Sequence, residues 1–308
     1  MMHHPARHIG HHAMMMMTHS MRSGAGVAFI FLTIIIGLSL ANLTVTPVEL
    51  EMITVEELQD SSAKFIGVAL ATATLRASGG DDNSDSLTSR MEETGDLVDL
   101  GMWARYLVVE NPMLLSITVL LLGVVLPLLL PLGSFTVISG DVQHRTVRYL
   151  LPRTTRSSIL LGRWLGSLIL SWALILFLIS SVVIYLSIMI PSESLEDLIP
   201  WGGRCFLALF FLTIPYVSLG ILCSATFSAP MVALLAAIGA TVGIPLLSLS
   251  LQEAWEPLGN LLYLLPWGYS HQLLSPSMEN FFEASAYCLG HAALFLTLAL
   301  LKFRRADL

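Results

Sequence analysis

The residues best placed to do chemistry lie between Ser139 and Arg163, SGDVQHRTVRYLLPRTTRSSILLGR. Five arginines stand there against one acid, Asp141. Ser139 can cap a helix, and Asp141 falls in its first turn, where the helix dipole favours a carboxylate. Asp141 and Arg145 are four apart, as are His144 and Arg148, so they share one polar face. Val142, Thr146, Tyr149 and Leu150 form the more apolar face. Pro152 ends the helix, and Arg153, Thr154, Thr155 and Arg156 turn the chain onward. Such a helix lies on a membrane surface, where its arginines either bind anionic lipid or dock a protein partner.

Two other groupings could be reactive. Ser134 after Gly133 and His291 after Gly290 are a nucleophile and a base within apolar runs, the parts of an intramembrane hydrolase. By the topology below, Ser134 lies near the inner end of its span and His291 in the outer half of its own. No HExxH or GxSxG is present, so no enzymatic activity is expected of this chain. His3, His4, His8, His11 and His12, with Met14 to Met17 beside them, are weak copper or zinc candidates. The competing reading is a disordered cytosolic tail over residues 1–24, with Met17 or Met21 as an alternative start and no cleavable signal peptide. Cys205, Cys223 and Cys288 have no CxxC spacing and read as small buried hydrophobes.

The surrounding chain must position these groups in a bilayer. Of 308 residues, 55% are hydrophobic and 12% charged, half the charge of a typical soluble domain. Six runs are long and apolar enough to span: Ala25–Leu43, Met113–Ile138, Leu165–Ile190, Cys205–Thr226, Pro230–Leu251 and Ala284–Leu301. Asn111-Pro112 reads as a helix start before the second. Between the first two runs, thirteen acids face four bases; residues 139–163 and the ending LKFRRADL are basic. Basic loops stay inside, so both termini and residues 139–163 are cytosolic, and 42–112 form an extracytoplasmic loop. The expectation is an all-α polytopic membrane protein, one six-span domain over 25–308. The lipid bilayer is its first partner, the outer loop can meet an extracytoplasmic one, and nucleic acid is not expected.

Within the spans, Pro127 and Pro131 share a face and would free backbone carbonyls, as a pathway hinge or a static kink. Gly239 and Gly243 form a GxxxG, suited to close helix packing within the chain or with a second copy. His291 is the titratable group in the sixth span. No Asp, Glu, Lys or Arg sits mid-span, which disfavours an ion-driven pump, and no GxxxxGK[ST] is present, so ATP is not bound here by a P-loop.

The order Ser139-Gly140-Asp141, Arg145-Thr146, Leu150-Leu151, Arg156 and Leu161-Gly162-Arg163 resembles the coupling segment of ABC-2 exporter permeases. It departs where Arg145 replaces a usual Gly and Arg163 a usual Lys. The resemblance implies a permease subunit with a cytosolic coupling helix between spans two and three. Asp141, Arg145, Thr146, Arg148, Arg153 and Arg156 would meet an ABC ATPase subunit. It further implies a second permease copy or paralogue, ATP and Mg on the ATPase, no cofactor on this chain, and a prokaryotic plasma membrane. A non-transporting ABC-like platform is the alternative.

Overall fold

The computed structural model describes residues 5–50, 54, 57, 59–61, 64, 101–143, 155–190, 194–251 and 263–305. Among the described residues all regular structure is helical. Six helices are long and apolar enough to cross a membrane: Gly24–Val48, Met113–Gln143, Arg156–Met189, Leu195–Thr226, Pro230–Ser248 and Met278–Arg305. The protein is an all-helical, multi-pass membrane protein.

In chain order the elements are α1 Pro5–Arg22, α2 Gly24–Glu49, α3 Met113–Ser134, α4 Ser139–Gln143, α5 Arg156–Met189 and α6 Leu195–Thr226. Next come α7 Pro230–Ile238, a π turn Gly239–Gly243, α8 Ile244–Leu251, a 3-10 helix Pro266–Leu274 and α9 Met278–Arg305. The third and fourth spans start nine and ten residues before the apolar runs expected from sequence. Polar caps explain the extension. Thr155 accepts from the Ser158 N–H and Ser194 from the Asp197 N–H, so each helix begins in polar sequence outside the hydrocarbon. Asn111 does not cap α3; its amide donates to the Tyr106 carbonyl at 2.8 Å, and Pro112 occupies the cap position.

The core is built around α6, which packs on α3, α5 and α9. Leu115, Leu160, Leu186, Leu198, Cys205 and Ile221 are fully buried. Indole and hydroxyl groups fasten the bundle: Trp164 donates to Ser218 at 2.9 Å, and Trp201 to Ser116 at 2.9 Å. Such pairs satisfy polar atoms where lipid cannot. Tyr185 donates to Asn42 at 2.9 Å.

Two expectations are corrected. The N-terminal stretch is not disordered from Pro5 to Arg22; it is α1. His12, Ala13, Met16 and Ser20 fall at helical spacing and are buried, making one face of an amphipathic helix. That face lies on α5 at Gly162 and Gly166. A Cβ on Gly162 would sit 2.8 Å from the Ile9 carbonyl oxygen, and one on Gly166 2.6 Å from that of Ala13. Small residues therefore permit close helix approach here. Within the chain they do not do so at Gly239 and Gly243, where an added Cβ would meet nothing within 4 Å among the described residues. These two glycines instead bound the π turn. The physical reason lies in Pro245, which lacks the N–H that would bond the Thr241 carbonyl. Trp267 supplies the donor, its indole nitrogen 3.1 Å from that oxygen. Beyond the fifth span, part of the stretch 252–283 returns to the bundle. Leu265, Pro266, Gly268, Leu273 and Leu274 are buried against α6 and α9.

Among the described residues between the first two spans, Thr54 and Glu57 cap each other reciprocally, each backbone N–H 3.1 Å from the other's side chain. The Thr54 N–H and hydroxyl hold the exposed Glu57 carboxyl below its usual range.

Candidate functional site

The basic segment is rooted where α3 passes into α4. Ser224, at the end of α6, accepts N–H bonds from Ile138 at 2.9 Å and Ser139 at 3.0 Å. Its hydroxyl lies 2.8 Å from the Phe135 carbonyl oxygen. Ser139 does not cap α4 with its own side chain, which bonds back to Phe135. The first N–H groups of a helix need outside acceptors, and here one buried serine from another span provides them.

Asp141 is paired with Arg163, the eighth residue of the third span's long helix. The Arg163 guanidinium also donates to the Val137 carbonyl. Their side chains are 24% and 12% exposed, so the pair is largely withdrawn from water. Sequence spacing offered Asp141 to Arg145, which lies outside the described residues, and to a partner; the structure adds Arg163, a partner the spacing did not suggest. Its role is to position the segment against α5.

Arg156 makes the third attachment. One guanidinium nitrogen donates to the Phe303 and Arg304 carbonyls, both at 2.9 Å. These are among the last carbonyls of α9, which lack helical partners and carry the negative end of the dipole. The start of the third span is thereby tied to the end of the sixth. The remaining predicted coupling residues, Arg145, Thr146, Arg148 and Arg153, lie outside the described residues. Ser224 was missed because nothing local marks it, and its partners are some 85 residues away in sequence.

The other candidates are not assembled into a reactive site. Ser134 is buried, bonds back to the Leu130 carbonyl at 3.2 Å, and packs on Gly220. His291 has Nδ1 2.8 Å from the Tyr287 carbonyl oxygen and Nε2 3.1 Å from that of Tyr263. It fastens α9 to the stretch before the 3-10 helix and does not meet Ser134. Pro127 and Pro131 both lie within α3, which continues through them to Ser134. Among the described residues no group of three or more His, Cys, Asp or Glu could hold a metal. His3 and His4 lie outside that description. The cysteines are free and buried.

None of the curated proteins compared with the chain is a match. The profile of the family described as ABC-2 family transporter protein matches residues 17–308, from the middle of α1 through the last span. The chain belongs to that family.

Proposed function

We propose that this chain is the permease subunit of an ATP-driven exporter in a prokaryotic plasma membrane. Its basic end is cytosolic and receives a separate ABC ATPase, which carries the ATP and Mg. A second copy of the chain, or a paralogue, completes the membrane pathway. The observation that carries the reading is the triple attachment of the basic segment. Ser224, Arg163 and Arg156 tie its two ends to the third, fourth and sixth spans. A force applied between residues 139 and 163 therefore reaches three spans at once. A mere lipid anchor needs the charge but not those ties.

The test is purification of the tagged chain from mild detergent with identification of what accompanies it. A stoichiometric P-loop ATPase is expected, lost in the Arg145→Glu/Arg148→Glu variant. Asp141→Asn should retain the ATPase but lower its turnover, because the segment is present and no longer braced. A chain that purifies alone under every gentle condition overturns the proposal.

A further inference from the structure

A cavity of about 120 Å3 lies between α3, α6, the 3-10 helix and Trp103 of the outer helical stretch 101–108. Its walls are mainly apolar, including Val119, Leu120, Leu209 and Leu212. Val124, also in the wall, is 52% exposed on the lipid-facing side of α3, so the cavity has a lateral mouth. The space above Gly123 is open: a Cβ there would meet nothing within 4 Å.

One polar side-chain atom of the lining is unpaired, as are two on residues that neighbour lining residues. The Trp103 indole nitrogen is buried with no hydrogen-bond partner. So is the side-chain amide oxygen of Gln272, the residue between the lining residues His271 and Leu273 in sequence. So is the hydroxyl of Tyr216, one turn beyond Leu212 and edge-on to Trp267. The Gly123 carbonyl lacks its usual helical donor, because Pro127 follows four residues later. Buried polar atoms are nearly always paired, and unpaired ones ask for an explanation. Elsewhere in this bundle indoles at the same depth do find acceptors, as Trp201 and Trp267 do.

We propose that this cavity is a binding site for a small lipophilic molecule bearing one hydroxyl or carbonyl group, entering sideways from the bilayer. The apolar walls take its hydrocarbon part. The Trp103 N–H donates to its oxygen, and a hydroxyl can donate in turn to an unpaired carbonyl. A cavity of this size accepts a single ring or a short alkyl chain; an apolar cavity of about 150 Å3 holds benzene. The site goes beyond the permease reading and does not depend on an ATPase.

The experiment uses the full chain in lipid nanodiscs and a photoreactive probe, octanol carrying a diazirine. Labelling should saturate, map to residues around Trp103, Val119 and Leu273, and be displaced by excess octanol about fivefold better than by octane. That factor is the worth of one hydrogen bond. Gly123→Leu should abolish saturable labelling by filling the space, with the fold intact by thermal unfolding. Trp103→Phe should keep labelling and lose the preference for alcohol. Diffuse, unsaturable labelling of lipid-facing residues, unchanged in Gly123→Leu, overturns the proposal. Because the readout is binding alone, failure here leaves the permease reading standing, and loss of ATPase association leaves this site standing.

Discussion

The fourth and fifth spans are nearly equal in mean hydropathy, 2.2 and 2.1, yet 72% of the first and 22% of the second is buried. Hydropathy places both in lipid and says nothing about which one the bundle is built on. The difference is written in small polar and small apolar residues. Along α6, Thr213, Ser218, Gly220 and Ser224 are all buried at helix contacts or bond to neighbouring segments. Along the fifth span, Leu235, Leu246 and Leu247 stand out from the chain, and a Cβ added at either of its two glycines would meet nothing among the described residues. The fourth span is enclosed by its neighbours; the fifth meets the bundle along one narrow alanine-rich face, Ala233 and Ala237, with the Thr241 carbonyl bonded to one indole.

The sharpest way to break this contrast is Gly220→Leu. Its Cβ would fall 2.0 Å from the Ser134 hydroxyl oxygen, so α3 and α6 must part. A loss of about 3 kcal/mol is expected, read as a large drop in thermal unfolding temperature in detergent. Ser224→Ala leaves the Ile138 and Ser139 N–H groups without their acceptor and should cost about 1–2 kcal/mol by the same assay. Trp267→Phe removes the donor to Thr241 and should cost about 0.6 kcal/mol, the mean for such bonds between membrane helices. Gly239→Leu should change the stability of the single chain by less than about 0.5 kcal/mol. If it cost as much as Gly220→Leu, the fifth span would be as closely packed within the chain as the fourth, and the contrast would fail.

The six spans were legible because twenty apolar residues in lipid have no other stable form than a helix. Their true starts at Arg156 and Leu195 were not, since the polar first turns dilute the apolar run. The return of Pro266–Leu274 into the bundle left no periodic trace: nine residues of mixed polarity read as loop. Helix α1 did carry a signal, in the spacing of Ile9, Ala13, Met16 and Ser20, but the histidine- and methionine-rich composition obscured it. At the basic segment, local spacing offered Asp141 a partner within its own helix and gave no sign of one in the next span. Arg145 is the neighbour of Asp141 along a helix; Arg163, twenty-two residues on, meets it only once the third span packs beside the second.

The seat of α1 has a consequence for how the protein is made. The two glycines it rests on, Gly162 and Gly166, are synthesised some 150 residues after it. At the usual pace of translation that is a wait of roughly ten to thirty seconds. During that interval α1 and its exposed methionines have the first span and the membrane surface to lie on, but not the seat on α5 that the finished fold gives them.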